Sequence, residues 1–282
     1  MQLTMKKMGA AAIAAALALC VAPAMAMLTP GTAHAAGKTN FNSSDTDINV
    51  EIYTAKYDVK KGTSKDLSAY KGGKQVKPKV EVTEFQPGSY DADGNYTPGK
   101  TVKLKKGKDY TIAYKNNKNV GHAYVVIKGK GKYKGTIARD FDISPKATKV
   151  TKVKGAKKAL KVSWKKLSAK QADGYIVSVY TRGGKYTETE DNGKKYTRYR
   201  YHFEKSQVVK GASAATATVK GLKAKTKYYV TVTPYKAATG SYMDTVSKYN
   251  SKDEYVGTRI VTRGYADTLY GYSSDYKAGK TK

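Results

Sequence analysis

IKGKGKYKGTI, Ile127 to Ile137, sets three glycines and four lysines around one tyrosine. Three readings compete for it: a glycine-rich loop that cradles phosphate, a basic ligand patch, or a turn between strands. A dinucleotide loop needs Gly-x-Gly-x-x-Gly opening a helix, yet the third glycine position here holds Lys134 and strand-like residues follow. A Walker loop fails as well, because no Gly-Lys-Ser or Gly-Lys-Thr comes at the required distance. The stretch therefore reads as a turn, with Gly129, Gly131 and Gly135 supplying backbone freedom and Tyr133 packing against them.

Working outward, the flanking chain alternates apolar and polar residues at period two, the period of half-buried strands. Tyr110, Ile112 and Tyr114 alternate with Thr111 and Ala113; Leu160, Val162 and Trp164 alternate with Lys161 and Ser163; Tyr228, Val230 and Val232 alternate with Tyr229 and Thr231. No stripe of helical period interrupts this pattern after the first residues. Many short strands separated by Gly, Asn and Lys turns predict an all-β chain of two tandem β-sandwich modules. Ser144-Pro145 marks the seam, since proline cannot donate to a central ladder. The expected division is a flexible polar segment over 36–46, one module over 47–145 and a second over 146–282, each long enough for one core.

The beginning is different. Lys6 and Lys7, an apolar run from Gly9 to Ala22 and the small residues ending at Ala33-His34-Ala35 have the pattern of a cleaved secretory leader over residues 1–35, with Ala26 as a rival cleavage site. The apolar run is too short to cross a bilayer as a stable helix. Cys20 lies inside it, so the exported chain would carry no thiol, no disulfide and no cysteine-bound metal. Leu19 argues against a lipid-attached Cys20, because such signals want a small residue there.

Lys+Arg number 53 against 22 Asp+Glu, a formal net charge of +31, and loss of the leader would remove only Lys6 and Lys7 from it. The excess is lysine spread along the whole chain, a diffuse positive field rather than one focused patch. The expected partners are anionic cell-wall polymers or extracellular glycans and proteins, with nucleic acid disfavoured. Charge kept for solubility on exposed strand faces is the competing reading. The expected location is extracellular, secreted or wall-associated.

Residues 70–143 carry a more specific pattern. Tyr70, Gly72, Lys77, Pro78, Leu104, Gly107, Asp109, Tyr110, Tyr114, Asn116, Asn117, Gly121, Ala123, Val125 and Ile127 stand at recurring spacings, followed by Gly129, Gly131, Tyr133 and Gly135. This resembles the Ig-like repeat of large Gram-positive surface proteins, and the resemblance implies a β module with Tyr110 and Tyr114 in its core. Gly73 and a longer hairpin over Phe85 to Lys100 depart from that repeat. The second half, with Trp164 in ALKVSWKKL, Tyr175 in GYIVSVY and the segment GLKAKTKYYVTVTPY, resembles a lysine-rich bacterial fibronectin type III domain. The resemblance implies Trp164 and Tyr175 in the core and a tyrosine corner in which Tyr228, six residues after Leu222, hydrogen-bonds back to the chain. The last strand lies either within Leu269 to Lys282, which echoes that family's usual ending and is favoured, or in YVGTRIVTRG from Tyr255; the favoured choice leaves 238–268 as an inserted hairpin.

Catalytic groups are sought without success. His122 and His202 are separated and lack cysteine partners, and no Ser-His-Asp arrangement presents itself. Asp91 to Asn95 begins like a calcium loop without its closing glutamate, and Glu188 to Gly193 reads as an exposed turn. The expectation is a non-enzymatic protein with no catalytic, cofactor or metal site. The most suggestive stretch is KYTRYRYHFEK, Lys195 to Lys205: as a strand it puts Tyr199, Tyr201 and Phe203 on one face and Arg198, Arg200 and His202 on the other. The favoured reading turns those aromatics to the core and the cations to water. The alternative makes Arg198, Tyr199, Arg200 and Tyr201 contacts to a glycan or host ligand.

Overall fold

The computed structural model describes residues 38–282, with Val59, Gly62 and Asp191 excepted; the leader predicted over 1–35 lies outside the described residues. Every regular element among them is a β-strand, as the period-two alternation demands, and no helix is long and apolar enough to cross a membrane. The chain is all-β.

Through residue 143 the strands are β1 (Thr39–Asn40), β2 (Asp47–Tyr53), β3 (Ala55–Asp58), β4 (Thr63–Asp66), β5 (Lys79–Gln86), β6 (Ser89–Tyr90), β7 (Tyr96–Thr97), β8 (Lys100–Lys103), β9 (Tyr110–Lys115), β10 (Gly121–Gly129), β11 (Tyr133–Lys134) and β12 (Thr136–Ile143). Two three-stranded sheets, β2-β5-β8 and β9-β10-β12, line a core containing Val82, Leu104, Tyr110, Val125, Ile127 and Phe141. Tyr114 packs at its edge and donates its phenol to Pro78 O at 2.7 Å. The Phe85 to Lys100 insertion is a hairpin whose tip, β6–β7, is closed by Asp91 accepting from the backbone N–H groups of Asp93 and Asn95.

The stretch from Ile127 to Ile137 is a turn between β10 and β12, whose ladder pairs Ile127 with Ile137. Gly131 and Gly135 have φ of +67° and +88°, a region closed to most side chains. Tyr133 within it is buried and donates its phenol to Glu84 Oε2 at 3.0 Å, but the ring packs on Phe41, 5.3 Å away, rather than on the glycines alone. This corrects the expected flexible segment over 36–46. In its described part β1 pairs with β11 in parallel and Phe41 is buried in the first core, because the Thr39 and Phe41 N–H groups donate to Lys132 O and Lys134 O and the Phe41 ring leaves water against Tyr133.

From residue 150 the strands are β13 (Val150–Ala156), β14 (Ala159–Trp164), β15 (Gly174–Thr189), β16 (Lys195–Lys210), β17 (Thr216–Lys220), β18 (Lys227–Tyr249), β19 (Tyr255–Tyr270) and β20 (Lys277–Lys280). One sheet is β13-β14-β17; the other is β16-β15-β18, with β19 and β20 pairing successive stretches of the far edge of β18. A second core lies between them, with Trp164, Tyr175, Leu222 and Tyr228 all buried in it and the Trp164 and Tyr175 rings 5.2 Å apart. Tyr175 donates to Ala212 O at 2.8 Å and accepts from Leu167 N–H at 2.6 Å, while Tyr228 Oη accepts from Lys223 N–H at 3.0 Å.

Two hairpins of this half outgrow their sandwich, and both reach the first half. The arm β18–β19 crosses the outer face of β10 and β12: Thr245 Oγ1 accepts from Ala138 N–H at 2.7 Å, Asn116 Nδ2 donates to Ser241 O at 2.9 Å, and Leu269 joins the first core. The end of β15–β16 touches the β3–β4 ribbon, where Tyr57 donates to Glu188 Oε1 at 2.5 Å and Arg198 Nη1 to Lys60 O at 3.2 Å. Residues 38–282 accordingly form one compact unit around two cores.

Candidate functional site

Two places gather chemistry-bearing side chains. The first follows from strand alternation in β15 and β18. Tyr175, Val177 and Val179 point into the second core, as do Tyr228, Val230 and Val232, so Ser178, Tyr180, Tyr229 and Thr231 point outward. Tyr180 is paired with Phe203 of β16 and Arg182 with Tyr201, which extends this outer face across the sheet. A bulge between Arg182 and Lys185 keeps both cations on the same face, with Lys185 opposite Tyr199.

The rings there form one ladder. Phe203 meets Tyr180 at 5.8 Å, Tyr180 meets Tyr276 at 5.3 Å, Tyr276 stacks on Tyr201 at 3.8 Å and Tyr201 meets Tyr229 at 5.2 Å. The Arg182 guanidinium sits 4.2 Å over Tyr199 and 5.3 Å from Tyr229, and Lys227 lies 5.8 Å from Tyr229. Burial among its neighbours pushes the Tyr276 phenol up to about 12. On the same face Thr231 is 3 % exposed, and its buried hydroxyl has no hydrogen-bond partner.

This placement corrects the favoured reading of KYTRYRYHFEK. Tyr199, Tyr201 and Phe203 belong to neither core, and Phe203 is 59 % exposed. The physical reason is a bulge at Glu204: Val179 pairs with Lys205 but Tyr180 pairs with Phe203, so the alternation slips by one residue and carries the β16 aromatics to the face turned away from the second core. The four proposed ligand contacts are divided between faces. Tyr199 and Tyr201 lie on the ladder. Arg198 and Arg200 lie behind it, Arg198 held by Glu188 at 2.9 Å and Arg200 5.3 Å from the Tyr186 ring. His202 shares that rear face, against Gly183.

The second place is a cavity of about 600 Å³ between the halves. His122 and Tyr124 on β10 stand opposite Asp142 and Asp140 on β12, and the arm adds Asp267. Asp267 lies 3.1 Å from Nε2; Asp142 and Asp140 lie 2.8 and 3.7 Å from Nδ1. Nδ1 is nevertheless without a hydrogen bond, although the Asp142 carboxylate is at ion-pair distance. Tyr242 stacks on the imidazole at 5.1 Å and Tyr265 meets it edge-on at 4.4 Å. Gly121 permits that approach: its φ is +146° and the Tyr265 hydroxyl lies 2.6 Å from where a Cβ would stand. Burial raises the Asp142 carboxyl, His122 opposes the rise, and Asp140 and Asp267 add to it.

An imidazole held by carboxylates is the orienting half of an acid–base couple. Its other half is not assembled here. The nearby hydroxyls of Ser68 and Ser144 both donate to Asp66, and the Tyr265 hydroxyl accepts from the His122 backbone N–H at 3.3 Å; among the described residues no hydroxyl bonds the His122 ring. No group of three His, Cys, Asp or Glu among the described residues is arranged to hold a metal ion. The sequence reading missed this cluster, although Asp140-Phe141-Asp142 opposite His122 on a predicted hairpin would have indicated its first three members. Asp267 could not be found that way, because nothing local ties residue 267 to residue 122.

No protein-family model matches the chain, and no curated protein matches it. Among solved structures, the crystal structure of chicken CNTN1 FN1-FN3 domains is similar over 87% of this chain and 99% of that chain, at 12% identity and a TM-score of 0.20. With so low a score, the fold is argued from the strand pairings above.

Proposed function

We propose that the protein is an exported, non-enzymatic surface-adhesion protein, held on anionic cell-wall polymers by its lysine charge. The observation that carries this reading is the scarcity of internal ion pairs. Against 53 basic residues in the chain, the ion-paired ones among the described residues are Lys61, Lys79, Lys103, Lys236, Arg139, Arg198 and Arg263. Most of the positive charge thus faces solvent and is available to a polyanion. The leader pattern over residues 1–35 supports export. Adhesion is further supported by aromatic and histidine side chains engaged with one another rather than arranged around a reacting atom.

The test uses the chain from residue 36 onward and isolated Gram-positive walls, before and after chemical removal of their phosphate polymers. Retention should depend on those polymers and fall steeply as NaCl rises from about 0.1 to 1 M, over which the Debye length shrinks from about 10 to 3 Å. Retention that ignores both salt and polymer removal would refute the charge-based reading.

A further inference from the structure

We propose that the outer face of the β16-β15-β18-β20 sheet is a binding site for an anionic polysaccharide, with Tyr199, Tyr201 and Phe203 contacting sugar rings and Arg182 and Lys185 holding the acidic groups. The inference deepens the surface-adhesion reading and rests on it for the source of the ligand.

Two observations converge on this face. Its rings are contiguous and partly open: Phe203 is 59 %, Tyr276 37 % and Tyr199 36 % exposed, in a sheet whose other side is a sealed core. Its cations lack counter-charges. Among the described residues neither Arg182 nor Lys185 has an ion-pair partner, and the hairpin's own ion pair, Arg198 with Glu188, lies on the rear face.

The ring geometry favours sugars over nucleobases. A stacked base needs an open aromatic face. Here Tyr276 covers one face of Tyr201 at an interplanar angle of 12°, and Arg182 lies over Tyr199. Tyr199 and Tyr201 then present edges and phenol hydroxyls, which suit a polyhydroxylated chain, and Phe203 adds an exposed apolar ring for the carbon face of a sugar. The positive groups beside them select an acidic one.

The experiment is affinity electrophoresis of the chain from residue 36 onward. Polygalacturonate provides rings with charge, polyphosphate charge without rings, dextran rings without charge, and a single-stranded oligonucleotide provides bases with charge. Tyr199→Ala with Phe203→Ala should weaken polygalacturonate binding about tenfold, as truncated aromatic anchors do, and leave polyphosphate binding unchanged. Arg182→Gln should weaken polygalacturonate binding without altering the thermal midpoint, and Tyr90→Ala, in the remote β6–β7 tip, should have no effect. The proposal is overturned if polygalacturonate binding survives both changes, if dextran binds as tightly, or if only the oligonucleotide loses affinity when the rings are removed. Loss of wall retention with intact polygalacturonate binding would instead sink the lysine-charge reading.

Discussion

At the scale of single residues, two phenols in the second core do unequal work. Tyr228 Oη accepts one backbone N–H, whereas Tyr175 Oη serves two partners, Leu167 N–H and Ala212 O. Removing a hydroxyl that satisfies buried backbone groups costs more than the net value of the bond, because the stranded groups keep their desolvation penalty. Tyr228→Phe should therefore lower stability by about 1 kcal/mol and Tyr175→Phe by about 2–3 kcal/mol. Urea unfolding checks this, with the midpoint moving and the slope unchanged. Equal losses would show that the Tyr175 partners find other bonds in the variant.

At the scale of elements, the β15–β16 hairpin is tied to the β3–β4 ribbon by Tyr57 and Glu188, and that contact titrates. The hydrogen bond to Glu188, then burial, push the Tyr57 phenol up from 10.0 to about 12. A phenol whose folded value exceeds its unfolded value stabilises the contact fully below pH 10, and that contribution is lost as pH rises through about 12. Tyr57 is half exposed, so solvent screens much of this effect. Glu188→Gln removes the carboxylate and should bring the Tyr57 midpoint down toward 10, read from its ring ¹³Cζ resonance. An unmoved midpoint would mean that burial alone raises it.

At the scale of the whole molecule, the arm makes one cooperative body of two cores. It covers the outer face of β10–β12, supplies Leu269 to the first core, and places Asp267, Tyr242 and Tyr265 around His122. Contacts that cross between cores couple their unfolding. The chain from residue 36 onward should melt in a single calorimetric transition. Replacing residues 241–264 by an Asn-Gly turn, which keeps Gly240 opposite Tyr265, should split it in two, with the first core melting at the lower temperature because its outer sheet face is then bare. A single transition in the shortened chain would show that the arm is not what joins the cores.

Much of the local structure was legible without coordinates. Alternation at period two placed the strands, glycine spacing identified the Ile127 to Ile137 turn, and the Leu222 to Tyr228 spacing anticipated a bond that the Lys223 N–H completes. These features depend on neighbours along the chain, and backbone sterics and side-chain parity settle such questions locally. Which face of a strand is covered depends on distant residues. Tyr199, Tyr201 and Phe203 lie outward because a bulge in β16 shifts their pairing against β15, Phe41 is buried because Tyr133 lies beside it, and the His122 cluster exists because an arm returns 145 residues later with Asp267. Parity says that two faces differ; only the packing of the folded chain decides which one meets water.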